Sequence, residues 1–168
     1  MLEVTVDLIR TLREQTGAGI MECKQALLAS EGDLAKATWA LREKGFSQVA
    51  KRSGRATNQG LVDAYVHTGG RVGAMVELGC ETDFVARTDE FRDLAHNIAM
   101  QVVAMAPAYL DESEIAADDN RPVAQVSLLQ QPFIKDNSSS VGEVVQELAA
   151  KMGENVRVLR FTRLALGE

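Results

Sequence analysis

The sequence predicts an α+β protein in which a three-helix N-terminal module is followed by a small antiparallel sheet packed with helices. Apolar residues recur at helical spacing as far as residue 45, alternate with their neighbours between residues 61 and 80, and return to helical spacing between residues 91 and 105. Helices grouped ahead of neighbouring strands are typical of this class. With 168 residues, 46% of them hydrophobic, the chain can bury a core without a metal or a disulfide, and we expect no cofactor.

Three short helices are predicted between residues 4 and 45. Leu8 and Leu12 lie on one face of the first helix, and Gly17 can end it. The second helix is expected to end at Gly32, and the Asp33 side chain can then cap the third.

A linker is predicted after the third helix. Gly45 and Phe46 are expected to close that helix ahead of the basic, small-residue stretch at residues 51–55. We therefore divide the chain into an N-terminal module with its linker, residues 1–55, and an α+β core, residues 56–168.

A β-hairpin opens the core. Residues 61–67 and 72–80 both alternate in the period of two that strands follow, and Thr68, Gly69 and Gly70 supply the turn between them. The period indicates two antiparallel strands.

A long helix is predicted to follow the hairpin. Thr88 can cap its start, and Pro107 stops it. The polar residues 108–122 indicate an exposed connection whose structure the pattern leaves open. The later predictions are a strand or a short helix at residues 123–131, a helix at 141–152 capped by one of Ser138 to Ser140, and a final strand from 156 to 161.

The charge distribution argues against direct nucleic-acid binding. The formal net charge is −6, and basic residues exceed acidic ones only in residues 1–55, by nine to seven, against nine to seventeen in the remainder. A protein that neutralises phosphates needs a dense basic stripe. Glu3, Asp7 and Arg10 interrupt the apolar start of the chain, so neither a signal peptide nor a membrane span is predicted, and we expect a cytoplasmic protein.

The sequence lacks the motifs of common enzyme classes. It has no glycine-rich phosphate loop, zinc-ligand set or nucleophile motif. His67 and His96 have no Cys or His at helical spacing, which favours solvated or locally hydrogen-bonded roles. Cys23 and Cys80 lie far apart in the sequence and form no close pair, which is consistent with reduced thiols in a cytosolic protein. We therefore expect no catalytic residue and no metal site.

Two long segments carry a family resemblance. Residues 12–27 read LREQTGAGIMECKQAL, and residues 77–85 read ELGCETDFV. Both resemble signatures of the elongation factor Ts family, and residues 131–133 (QPF) and 153–156 (GENV) are similar to two further family segments. The resemblance covers nearly the whole chain.

The chain departs from the family pattern at three places. The segment between Pro107 and Val123 is shorter than in even the short family members. Gln101 stands where the family commonly has a partner-facing histidine, and Thr162 where short members have a C-terminal cysteine.

The resemblance implies a guanine nucleotide exchange factor that binds elongation factor Tu and promotes GDP release. It implies an N-terminal three-helix module of the ubiquitin-associated-like type and a core whose loop Thr82, Asp83, Phe84, Val85 enters the partner beside its magnesium site. Phe84 would act as a wedge between two partner helices and disturb the magnesium and phosphate sites.

The residues alone leave another interpretation of this loop open. Phe84 and Val85 precede the helix capped by Thr88, so both could be core residues that close its first turn. Asp83 would then be a capping or loop carboxylate.

A second contact is expected on the N-terminal module. Ile20 and Met21 are adjacent, and neighbours on a helix point about 100 degrees apart, so we expect one in the bundle core and the other exposed toward a partner. Which of them is exposed stays open, as does whether Arg13 contacts the partner or is only solvated.

Two rival functions and a homodimer are also considered. A ubiquitin-associated-like adaptor would need only residues 1–55, and a small-molecule enzyme would turn over without a partner protein. Because longer family members contain two related core subdomains and this chain shows one, we expect pairing through the small sheet, which would protect its edge strands.

Overall fold

The computed structural model describes residues 4–168, and the α+β class is confirmed. The first three residues of the predicted N-terminal module lie outside the described residues. The α-helices are α1 (Val6–Thr16), α2 (Ile20–Ala29), α3 (Leu34–Arg52), α4 (Asp83–Ala86), α5 (Asp89–Met105), α6 (Val123–Val126) and α7 (Val141–Met152). The strands are β1 (Gln59–Val66), β2 (Val72–Cys80), β3 (Pro132–Phe133), β4 (Asp136–Ser140) and β5 (Arg157–Ala165).

The end of α1 and the start of α3 lie at the residues that the sequence indicated, whereas α2 ends at Ala29, three residues before the predicted Gly32. Gly17 follows α1 with a φ of 67°, a left-handed conformation that glycine adopts without steric cost. The Asp33 carboxylate accepts a 3.0 Å hydrogen bond from the backbone N–H of Lys36 and so caps α3. The three helices bury a small apolar cluster formed by Leu12, Cys23, Leu27 and Ala37.

The predicted end of the third helix is wrong. α3 continues through Gly45 and Phe46 to Arg52, so the linker begins only at Ser53. A Cβ placed on Gly45 would lie 2.9 Å from the Cβ of Ala150 in α7. Gly45 is therefore a point of close helix contact, and the helix continues because its second half packs on the core, where Val49 is buried.

The three-stranded antiparallel sheet has the order β1-β2-β5, with β2 in the centre. The predicted hairpin is confirmed: Gly69 and Gly70 turn the chain with positive φ angles of 94° and 67°. β5 pairs with β2 and extends to Ala165, beyond the predicted end at residue 161. One face of the sheet packs on α5, and these two elements form the centre of the larger core.

α5 also has the predicted limits. The Thr88 hydroxyl accepts from the backbone N–H of Phe91 at 3.3 Å, and the helix ends at Met105, two residues before Pro107. At the start of α7, the Ser140 hydroxyl plays the same capping role for Glu143.

The segment after α5 is short and tied to the core. Residues 123–126 form the short helix α6 and residues 128–130 a 3-10 turn, and Ser127 between them is extended and forms an isolated β-bridge with Tyr109. Gln101 is fully buried: its Nε2 donates to Oε1 of Gln131 at 3.0 Å and to the Pro132 carbonyl at 3.1 Å. Its Oε1 accepts from the Ile134 N–H at 2.8 Å, so Gln101 faces its own chain and not a partner.

No helix within residues 4–168 has both the length and the apolarity that crossing a membrane requires.

Candidate protein-binding site

Phe84 is presented on a single helical turn that projects from the core. The turn is α4, which follows the end of β2 after Glu81 and Thr82. The Phe84 side chain is 80% exposed, whereas Val85 is 8% exposed and belongs to the core cluster. Successive residues on a helix point about 100 degrees apart, so Val85 anchors the turn while Phe84 faces solvent. The interpretation of both residues as core therefore fails for Phe84 and holds for Val85.

A carboxylate from a distant segment holds this turn. Glu154 accepts hydrogen bonds from the backbone N–H groups of Glu81 and Thr82, at 3.1 and 3.0 Å. Its second oxygen accepts from the Thr82 hydroxyl at 2.6 Å. These bonds fix the backbone immediately before Phe84.

Cys80 adds a contact beneath the turn. Its thiol donates to the Thr82 carbonyl oxygen at 3.1 Å. Burial raises the pKa of the Cys80 thiol to about 11, with a further contribution from the nearby Glu154 carboxylate. The thiol is thus a protonated hydrogen-bond donor, and Cys80 has a structural role here.

Asp83 is only partly exposed and already has a partner. Its carboxylate forms an ion pair with Arg87 at 2.8 Å, one turn further along the chain. Its side chain keeps 46% of its accessible surface, so it stands beside Phe84 at the edge of the projecting turn.

The segment after the N-terminal module is tied to the same region. Asn155 Nδ2 donates to the carbonyl oxygens of Ser53 and Arg55, at 3.3 and 2.8 Å. The backbone N–H of Asn155 donates to Glu81 at 2.7 Å, which lowers the pKa of that carboxyl group, and the Arg55 guanidinium at 3.2 Å lowers it further. Glu81 therefore remains ionised and bonded to both segments at neutral pH.

Ile20 and Met21 are both exposed, at 56% and 63%, so the expectation that one of them fills the bundle core is wrong. The buried residues of α2 are Cys23 and Leu27, one helical turn apart. Ile20 and Met21 occupy the first two positions of α2. The module thus presents an apolar pair at the start of α2.

Arg13 lies on the other side of the loop that precedes this apolar pair. It is an exposed residue in the last turn of α1, where a positive charge complements the helix dipole. The loop Gly17–Gly19 connects that turn to Ile20, so the two elements that carry Arg13 and the apolar pair meet at this loop.

Sequence reasoning missed the residues that support this site. Glu154 was noted only as part of the GENV segment, and its contact with Thr82 spans 72 positions. Trp39 on α3 was not singled out, although it is 65% exposed. Exposure of single apolar residues on a helix cannot be deduced from spacing alone.

The histidines have local hydrogen-bond partners. His96 Nδ1 lies 2.8 Å from an Asp63 carboxylate oxygen, and His67 Nδ1 lies 3.1 Å from the Tyr65 hydroxyl. Among residues 4–168, no group of three or more His, Cys, Asp or Glu side chains is placed to hold a metal ion.

A groove of about 620 Å³ is lined by residues of the N-terminal helices, α5 and α7. Leu41, Phe46, Leu94 and Leu148 contribute to its apolar lining. Ion pairs at its rim join Lys44 to Glu22 at 2.8 Å, Lys151 to Glu90 at 2.5 Å, and Arg42 to Glu147.

An exposed phenylalanine on a turn held by hydrogen bonds and an exposed apolar pair on the N-terminal helices are features typical of proteins that act by contacting another macromolecule. Comparison with known proteins agrees. A family model described as elongation factor TS matches residues 31–121. The chain belongs to the elongation factor Ts family, and its role is that of a translation elongation factor in protein biosynthesis.

Full-length relatives support this assignment. An elongation factor Ts from a Synechococcus species is 46% identical over 199 aligned positions, which cover 100% of this chain and 92% of the relative. The Thermotoga neapolitana protein is 44% identical, with 99% of both chains covered, and the Gloeothece citriformis protein is 42% identical, with 100% and 70% covered. The Synechococcus alignment is longer than the 168 residues of this chain, so that relative carries residues that this chain lacks.

Proposed function

We propose that this protein is a guanine nucleotide exchange factor that binds elongation factor Tu carrying GDP and promotes release of the GDP. The observation that carries the proposal is the 80% exposure of Phe84 on a turn whose backbone is fixed by hydrogen bonds. A large apolar side chain in this setting is costly to expose and well suited to insertion into a partner.

Phe84 acts as the wedge in this proposal. Burial of a phenylalanine removes about 150–250 Å² from water, so its insertion between two partner helices stabilises a displaced arrangement of them. The displacement disturbs the magnesium ion and the phosphate-binding loop of the partner, and the diphosphate of GDP loses charge neutralisation. GDP then dissociates faster.

The residues next to Phe84 have different roles in the proposal. Thr82 fixes the turn through its bonds to Glu154, and Val85 anchors it in the core. Asp83 stands at the edge of the contact. There its carboxylate can leave the ion pair with Arg87 and pair instead with a basic group of the partner. Direct contact is thus assigned to Phe84 and Asp83, and support to Thr82 and Val85.

The N-terminal module supplies a second contact through Ile20, Met21 and Arg13. We assign this contact to residues 1–55 and the wedge to residues 56–168. Two linked contacts raise the effective concentration of the second once the first has formed. Neither contact makes or breaks a covalent bond, so the protein changes the affinity of its partner for GDP and is not an enzyme.

A homodimer is also proposed. The sheet face turned away from α5 carries Val62, Val66, Met75 and Leu164, each at least half exposed. Met75 lies on the central strand, paired with Ala64 on one side and Thr162 on the other. Burying this face against a second copy removes apolar surface from water. The pair is therefore noncovalent and does not need the cysteine that short family members have at the position of Thr162.

Protein contacts alone carry the proposed function, without direct nucleic-acid binding or a cofactor. The proposed place of action is the cytoplasm, where translation elongation occurs.

The test is release of fluorescent GDP from elongation factor Tu as this protein is added. We expect the wild-type chain to accelerate release. Phe84→Ala should reduce the acceleration about 30- to 1,000-fold, because a buried anchor of this kind contributes about 2–4 kcal/mol. Met105→Ala is the control, since Met105 is 45% exposed at the opposite end of α5 from the turn, and it should leave the rate unchanged.

No acceleration by the wild-type chain at saturating concentration would exclude an exchange role. Binding to elongation factor Tu without effect on GDP would instead favour an adaptor that uses the helical module alone.

A further inference from the structure

The turn that presents Phe84 has little stability of its own. α4 contains four residues, Asp83–Ala86, and its closing backbone hydrogen bond, from the Ala86 N–H to the Thr82 carbonyl, is long at 3.4 Å. Helices shorter than about 12 residues are marginal without tertiary contacts. The direction in which Phe84 points must therefore be set from outside the turn.

Thr82 shows where that control comes from. Threonine at the position before a helix normally accepts a hydrogen bond from a backbone N–H in the first turn. The described residues show no such bond for Thr82, whose hydroxyl instead donates to Glu154 at 2.6 Å. The usual capping interaction is thus replaced by a bond to a residue 72 positions away.

Glu154 engages three donors at once. One carboxylate oxygen accepts from the backbone N–H groups of Glu81 and Thr82, and the other accepts the hydroxyl hydrogen bond. The peptide plane entering α4 is therefore locked in one orientation.

The bonds between the two segments are reciprocal. Glu154 binds the backbone at residues 81 and 82, while Glu81 accepts from the backbone N–H of Asn155 at 2.7 Å. Asn155 also holds the carbonyl oxygens of Ser53 and Arg55. One hydrogen-bonded network thus joins the end of the N-terminal module to the turn that carries Phe84.

We propose that Glu154 is the positioning residue for Phe84: its carboxylate fixes the turn in the orientation that inserts the ring into the partner. This inference rests on the proposed exchange function. Glu154 acts on Phe84 through its hydrogen bonds to Glu81 and Thr82.

Two substitutions at Glu154 separate its hydrogen bonding from its charge. Glu154→Ala removes all three acceptor contacts. Glu154→Gln preserves the pattern, because the amide oxygen can accept both backbone N–H groups while the amide nitrogen donates to the Thr82 hydroxyl, which can also accept. Glu147→Ala is the matched control, since it removes a carboxylate of α7 that pairs with Arg42 and not with the turn.

The first measurement is the maximal rate of GDP release at saturating factor. We expect Glu154→Ala to lower it about tenfold or more, and Glu154→Gln and Glu147→Ala to stay within about twofold of wild type. Glu154→Ala combined with Phe84→Ala should be no slower than Phe84→Ala alone, because a misplaced ring and an absent ring fail in the same way. If Glu154→Ala lowers the release rate by the same factor in the wild-type protein and in Phe84→Ala, the positioning role is overturned. Such a result would mean that Glu154→Ala reduces the amount of folded protein, an effect that does not depend on the Phe84 ring.

The second measurement is amide hydrogen exchange of the free protein, which does not depend on the partner. The Ala86 N–H bonds to Thr82 and not to Glu154, so its exchange reports the order of the turn itself. Glu154→Ala should accelerate it about tenfold or more relative to amides of α5, whereas Glu147→Ala should leave it unchanged. Unchanged exchange at Ala86 in Glu154→Ala would overturn the inference even if GDP release is slowed. A wild-type protein without exchange activity would instead overturn the proposed function, and the amide data would still decide whether Glu154 holds the turn.

Discussion

Gly45 and Ala150 lie where α3 crosses α7, and a Cβ on Gly45 would stand 2.9 Å from the Cβ of Ala150. Real Cβ atoms are not found so close, so Gly45→Ala must push the two helices apart. Overpacking of this kind costs about 1–3 kcal/mol, against a gain of about 1 kcal/mol from the better helix propensity of alanine. We expect a net loss of up to about 2 kcal/mol in the free energy of unfolding, measured with urea.

The compensating variant tests the same contact. Adding Ala150→Gly to Gly45→Ala removes the clashing methyl group, so the double variant should be more stable than the sum of the two single effects predicts. Strict additivity, or a more stable Gly45→Ala protein, would show that the helices do not meet closely at this point.

Alanine substitutions at Phe84 and Val85 should have very different effects on the free energy of unfolding of the free protein. Phe84 is 80% exposed, so Phe84→Ala should change the free energy of unfolding by no more than about 0.5 kcal/mol. Val85 is 8% exposed, so Val85→Ala should cost about 2 kcal/mol through lost burial and a small cavity. A large destabilisation by Phe84→Ala would mean that its ring belongs to the core.

Binding of GDP and binding of this protein should be mutually antagonistic. Thermodynamic linkage requires that a factor which weakens GDP binding to elongation factor Tu is itself weakened by GDP to the same degree. We expect the dissociation constant between the two proteins, measured by titration calorimetry, to rise as GDP is added. An affinity unaffected by saturating GDP would contradict exchange by differential binding.

The open sheet face should hold the homodimer together. Met75→Glu places a charge in the middle of that face and should yield a monomer in sedimentation at micromolar concentration, because burying an unpaired charge is costly. Val123→Glu is the control, since Val123 is 42% exposed on α6 and not on the sheet. A wild-type monomer with full exchange activity would show that a second core is unnecessary.

Glu81 should make stability depend on pH in the acid range. Its bonds from Asn155 and Arg55 lower its pKa below the ordinary value of 4.5, so its contribution is complete above that value and is lost as the pH falls through the folded-state pKa. The stability advantage of wild type over Glu81→Gln should therefore shrink between about pH 6 and about pH 3. Other carboxyl groups with lowered pKa values contribute the same pH dependence to wild type and to Glu81→Gln, so the difference in stability between the two proteins reports Glu81 alone. These groups include Glu22, Asp111, Asp119 and Asp136. A stability advantage that is constant with pH would contradict the ionisation assigned to Glu81.

Local features were predictable from the sequence. The caps at Asp33 and Thr88 and the turn at Gly69 and Gly70 form where the sequence placed them, because each depends on a side chain or glycine within a few residues. The family resemblance drew attention to the segment that contains Phe84. The contacts of Phe84, Ile20, Met21 and Arg13 with a partner stay predictions.

Tertiary structure decided what local patterns could not. A glycine in a helical pattern is a signal to stop, yet Gly45 continues α3 because α7 packs against it. Ile20 and Met21 are both exposed because α2 turns Cys23 and Leu27 to the bundle core, and the choice of that face is made by the packing of the three helices. The bond between Thr82 and Glu154 joins residues 72 positions apart, and no periodicity records such a pair, because only the pairing of β5 with β2 and the packing of α7 on α3 and α5 bring them together. The sequence by itself determined the class of fold and, through the family resemblance, pointed to Phe84; the packing of distant elements decided that this residue is exposed and how its turn is held.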